Sequence, residues 1–256
     1  MRRAVRGLLG LAGLLALGEV VGRSGLAPEG YLPPTSVVLT RLVELLGDQS
    51  FVLDVVATVL AWAIALGIAV AVAVPLGLLL GSVPVLRHGT RAVVEFLRPI
   101  PSVALIPLAI VVFGMGPDTK IFLAVYAAVW PILFNTIYAM DEVDPLLVDT
   151  ARSFGLNRGQ VLARVVLPNA APFVATGIRL SASIALILVV SVELLAGAGA
   201  GIGKFILEAS SGSGRMDLVF AGTLVAGVLG YLVNAGFEGL QRKLFAWSAT
   251  TGEVPQ

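Results

Sequence analysis

The chain has 256 residues, 57% hydrophobic and only 13% charged, with a net charge of +1 and a mean hydropathy of +0.96. A soluble domain carries about 25% charged residues, so these values describe a polytopic membrane protein, and no basic tail or aromatic–basic interleaving points to nucleic acid. Cysteine is absent, which excludes disulfides and thiolate metal sites, and the single histidine, His88, reads as an ordinary residue of a short polar loop beside Arg87 and Arg91 rather than part of a metal set.

The N-terminal stretch MRRAVRGLLGLAGLLALGEVVG has the basic start and apolar core of a signal peptide. It has no A-x-A-like cleavage site, so residues 1–22 are expected to be a retained membrane anchor. Residues 23–50 form an outer segment. In it, Val37, Val38, Leu42, Leu45 and Leu46 recur at helical spacing after Pro33-Pro34, with Arg41 and Glu44 on the other face. That pattern predicts a short amphipathic helix packed on the bundle. Residues 51–240 hold the core, and 241–256 form a tail.

Six apolar runs, near Val5–Val21, Leu53–Leu80, Val93–Phe113, Ile121–Met140, Phe173–Ala196 and Leu218–Phe237, each approach the ~20 residues that cross a bilayer as a helix. They are too long and continuous for barrel strands. The third is interrupted by Pro99, Pro101 and Pro107. Broken backbone in a membrane must be buried in protein or line a water-filled path. Twelve basic residues fall on one set of span ends and five, including Lys120, on the other, which predicts that both termini are cytoplasmic.

Between the fourth and fifth runs, within a connection at 141–172, lies DTARSFGLNRGQVLARVVLP, Asp149–Pro168. Asp144-Pro145 is a helix-start signal, and Gly155 suits a left-handed helix end. Asn157 and Gln160 are spaced for a capping box. The second helix carries Val161, Leu162, Val165 and Val166 as an apolar stripe, with Pro168 expected to end it. These residues predict a cytoplasmic helix–turn–helix, fit either to lie on anionic lipid or to dock on another protein.

The spacing Asp149-Thr150-Ala151-x3-Gly155-x9-Val165-x-Leu167-Pro168 resembles the EAA loop of bacterial ABC-importer permeases, E-A-A-x3-G-x9-I-x-L-P. Asp, Thr and Val stand in place of Glu, Ala and Ile. RPIPSVALIPLAIVVFGMGPDTKIFL and ELLAGAGAGIGKFILEA are similar to the nitrate/sulfonate/taurine-type subfamily, and the resemblance spans about 35–245. It implies an all-α, six-helix type I importer bundle in the cell inner membrane. It further implies two ABC ATPase subunits beneath a permease pair of two copies of the chain, an external solute-binding protein, and cargo such as a sulfonate, taurine or nitrate. Coupling to the ATPase would fall to Asp149, Ala151, Gly155, Asn157, Arg158, Gln160, Leu167 and Pro168.

No catalytic residue is expected, and no cofactor: ATP and Mg belong to the ATPase. GAGAGIGKF is not a Walker A loop, because Ala198 stands at the first required glycine and Phe205 replaces Ser or Thr. Pro99, Pro101, Asn135, Ser191 and Glu193 are candidates for the translocation pathway or its gate. For Glu193 the residues alone leave two readings open, a pathway group or a buried hydrogen-bonded acid. An ion-coupled secondary transporter is the alternative function. It would require an inverted repeat with paired broken helices, whereas one broken span and one deep acid stand out.

Overall fold

The computed structural model describes residues 2–25, 31–212 and 214–246, with side chains described at all of these except 2–5, 8, 11 and 212. Most of the tail, 247–256, lies outside them. The described chain is helical, in the order α1 (Arg2–Arg23), α2 (Thr35–Gly47), α3 (Gln49–Ser82), α4 (Pro84–Leu97), α5 (Ile106–Phe113), α6 (Pro117–Asp141), α7 (Pro145–Ser153), α8 (Arg158–Val161), α9 (Leu167–Ala196), α10 (Ile202–Gly212) and α11 (Met216–Leu244). Among the described residues, four helical stretches are long and apolar enough to cross a membrane: α3, α6, α8 through α9, and α11. The pair α4 and α5, bent by 77°, makes a fifth if taken as one span. Where a membrane anchor is expected, at 1–22, the structure has the 22-residue helix α1, which is not among these candidate spans.

The chain divides into two compact units, Met1–Val59 with Val190–Leu229 and Leu60–Val189 with Gly230–Gln256. In the second, close helix packing follows from one sequence pattern. Ala61, Ala65, Ala69, Ala73, Gly77 and Gly81 repeat every four residues along α3, which puts small residues on one face. The four alanines are at most 4% exposed. A Cβ at Gly77 would come within 2.6 Å of Thr136, and one at Gly81 within 2.6 Å of Met140. Helices in lipid gain little from apolar burial against each other, so close approach across small residues is what holds α3 to α6. Ser181 Oγ donates to Ala128 O at 2.6 Å, and Trp62 Nε1 to Ala182 O at 2.8 Å. These are interhelical bonds that water cannot replace in a membrane.

In the first unit, α2 buries Leu45 and packs Val38 and Leu42 against Phe51, Phe205 and Ala221. Val37 and Leu46, expected on the same face, are 40% and 57% exposed. Arg41, expected to face solvent, instead donates from Nε to Asp217 at 2.8 Å and also pairs with Glu44. Arg215 donates to the same Asp217 from Nη2 at 2.8 Å. These carboxylates push both guanidinium pKa values up, Glu44 first and then Asp217 for Arg41, and Asp217 for Arg215.

Three local expectations are corrected. His88 lies in helix α4 and not in a loop, its Nδ1 2.7 Å from Pro84 O; Pro84 at the first helical position starts that helix. Pro168 does not end a helix. The chain widens to a π turn over Leu162–Val166 and continues through Pro168 to Ala196. The reason is that Pro168 lacks the N–H that an α-helix would pair with Arg164 O, and its ring crowds that carbonyl. The wider turn changes the register there, and Asn169 Nδ2 donates to Val165 O at 2.8 Å. Lys120, counted among the cations of the connections, is 1% exposed in the first turn of α6.

Candidate functional site

Three polar features stand out in the helical framework. The first is the segment 144–168. Asp144 accepts the Leu146 N–H at 2.8 Å and so caps α7. Gly155 has φ +83°, a left-handed value that costs a side-chain-bearing residue about 1 kcal/mol, and its N–H returns to Arg152 O at 2.8 Å. Asn157 accepts from Gln160 N at 3.0 Å while Gln160 accepts from Asn157 N at 2.9 Å, a complete capping box. Asp149 lies 3.7 Å from Arg152, and Ala151 is half-buried. Val161 and Val166 are buried, and Val165 is half-buried. Outside, Arg158, Leu167 and Pro168 are exposed. So are apolar side chains that water disfavours: Phe154 at 81%, Leu146 at 69% and Leu147 at 45%.

The second feature surrounds Glu193, which is 0% exposed. The first N–H groups of any helix lack intrahelical partners. Those opening α10 are met by α3 and α9. Gly201 N donates to Asp54 Oδ1 at 2.9 Å, Ile202 N to Thr58 Oγ1 at 2.9 Å, and Gly203 N to Glu193 Oε2 at 3.1 Å. The Thr58 hydroxyl lies 2.9 and 3.1 Å from the two Glu193 oxygens. Two carboxylates thus face the positive end of the α10 dipole, which stabilises negative charge there. The approach requires glycine. A Cβ at Gly201 would fall 2.2 Å from the Glu193 carboxyl carbon, and one at Gly203 2.3 Å from Val190 O. Glu19 plays a like part at the start of α2, accepting from Ser36 N at 2.8 Å.

The third feature is the break at Arg98–Pro101. Pro101 has no N–H, so Leu97 O lacks the donor four residues on and takes the Ile100 N–H at 3.2 Å instead. Tyr126 OH, from α6, donates to Leu97 O at 2.7 Å. At the far end of α5, Thr119 Oγ1 donates to Gly114 O, where φ is +80°. Pro99 and Pro101 are exposed.

Among the remaining sequence candidates, Asn135 is half-buried and donates from Nδ2 to Pro131 O of its own helix at 2.8 Å. Ser191 is half-buried. Thr58 and Tyr126 escaped the sequence reading. For Thr58 a signal existed: Asp54 and Thr58, four residues apart, place two polar groups on one face of an apolar span.

Residues 73–246 match the model of the binding-protein-dependent transport system inner membrane component family. The chain belongs to that family. It is 31% identical over 249 residues to the taurine transport system permease protein TauC of Escherichia coli K12, covering 95% of this chain and 89% of TauC. MJ0413 of Methanocaldococcus jannaschii, provisionally named an ABC transporter permease protein, is 36% identical over 172 residues. That match covers 67% of this chain and 64% of MJ0413. The fold matches a chain of the inward-facing MetNI methionine ABC transporter with a TM-score of 0.65 at 19% identity, covering 75% of this chain and 94% of that one. The chain is thus an ABC-importer permease subunit with the type I importer fold.

Proposed function

We propose that this permease carries a small anion, with a sulfonate such as taurine as the leading candidate, delivered outside by a solute-binding protein and driven by two ATPase subunits inside. The 31% identity with TauC along nearly the whole chain supports the cargo class. The ATPase subunits hold ATP and Mg, and this chain, two copies of which form the membrane pair, adds no chemistry of its own. Both termini are cytoplasmic, on the basic-residue asymmetry. The chain sits as a multi-pass protein in the inner membrane, in contact with its lipid.

The observation that carries the coupling role is the pairing of a locally capped helix–turn–helix with exposed Leu146, Leu147 and Phe154. Exposed apolar side chains beside a polar, rigid tip fit a protein groove better than water. Asn157, Arg158 and Gln160 open the helix that enters the ATPase. Arg158 makes a polar contact there, Asp149, Ala151 and Gly155 set the approach, and Leu167-Pro168 join it to α9. ATP closure of the ATPase dimer shifts the permeases between two facing states through this element. Pro99, Pro101, Asn135 and Ser191 border the path, and Glu193 acts on its outer gate by holding α10.

The test is purification from native membranes in mild detergent, with partners identified by mass spectrometry. An ATPase and a binding protein accompany the wild type, and the ATPase is lost from the Gly155→Leu, Arg158→Glu double variant. Purification of the chain alone, with transport persisting in the absence of ATP, would sink the proposal.

A further inference from the structure

We infer that Arg98, stacked on Phe134 at the helix break, is the cationic contact that the anionic solute meets inside the membrane; this rests on the anion-import reading above. The position follows from two tethers. Arg87 Nη2 pairs with Asp141 Oδ2 at 2.7 Å, and Leu97 O accepts from Tyr126 at 2.7 Å. Helix α4 therefore runs antiparallel along α6 from its last residue toward its middle. At ~1.5 Å per residue, the eleven residues from Arg87 to Arg98 climb about 16 Å, roughly half of a ~30 Å hydrocarbon core. The same geometry places Arg98 far from the span end at Arg87 and Asp141.

The guanidinium carbon lies 4.5 Å from the Phe134 ring centroid. Among the described residues Arg98 has no ion-pair partner, whereas Arg87, Arg91 and Arg41 each have a carboxylate. It is exposed, as are Pro99 and Pro101 beside it. An unpaired guanidinium and a non-helical backbone at mid-depth cannot face lipid tails. They require a polar path. A groove of about 520 Å³ runs between α4 and α6 from Arg87 and Asp141 to Phe134, the ring that carries Arg98. The ring fixes the fork without neutralising it, so its donors stay available to a sulfonate or nitrate oxygen.

The experiment uses the assembled transporter in proteoliposomes, with labelled taurine, ethanesulfonate and nitrate as probes. Uptake and ATP hydrolysis are measured for the wild type, Arg98→Lys and Arg98→Gln. The expected result for Arg98→Gln is a fall in uptake of about tenfold or more, with ATP hydrolysis within about twofold of wild type. Arg98→Lys keeps the charge but not the fork, and retains roughly a third of uptake. Wild-type uptake by Arg98→Gln overturns the proposal while leaving the anion reading intact. Equal loss in both variants, with the complex still assembled, assigns Arg98 to the fold and also overturns it. A wild type that takes up none of the three solutes overturns the cargo reading itself, and this inference with it.

Discussion

The segments at 144–168 and 197–212 look alike in sequence, each a glycine turn beside a short helix at the end of a long span. Their hydrogen bonds differ. In the first, every cap is local: Asp144 to Leu146, and Asn157 with Gln160. In the second, the opening of α10 is capped by Asp54, Thr58 and Glu193, up to 147 residues away in sequence. An element capped by itself can move as a rigid body and present its surface. One capped by buried groups of two spans is fixed to them. The contrast assigns motion and docking to the first and anchoring to the second.

The strongest way to break that contrast is Glu193→Ala. It strands the buried Gly203 N–H, at about 1–3 kcal/mol, and leaves the Thr58 hydroxyl only the Asp54 carbonyl, at 3.2 Å, to donate to. Thermal unfolding in detergent should shift downward by more than for any variant in the helix–turn–helix knuckle at 144–168, and an unchanged midpoint would remove the anchoring role. Gly203→Ala should follow. Its Cβ would lie 2.3 Å from Val190 O, a backbone atom that cannot turn aside, and overpacking of this kind costs about 1–3 kcal/mol. The smallest effect on stability belongs to Asn157→Ala, at about 1 kcal/mol confined to the knuckle. Here ATP-driven uptake should fall while the unfolding midpoint hardly moves; the reverse pattern would make the knuckle a structural element only.

What the sequence disclosed follows the same division. The Asp144 cap, the positive φ at Gly155 and the Asn157–Gln160 box depend on residues within four positions of each other, and all three are present. The apolar runs predicted the long helices for the same reason, since a span must satisfy its own backbone. The partners of Glu193 lie on other helices, so the residue could be flagged but not explained. Tyr126 had no local mark because its acceptor, Leu97 O, lies 29 residues earlier on another helix, beside the break at Pro101. Pro168 misled because the rule that proline ends a helix assumes α geometry. A π turn before it lets the helix pass. His88 misled because α4 buries no residue and so carries a loop-like composition.

The most direct test of the docking claim uses the absence of cysteine from the chain. A single Phe154→Cys variant, labelled with a maleimide photo-crosslinker in membranes containing the whole transporter, is illuminated beside a Ser211→Cys control on α10. A crosslinked adduct with the ATPase is expected from position 154 and none from position 211. Crosslinks from position 154 to lipid alone, in a complex that still hydrolyses ATP and transports, would contradict it.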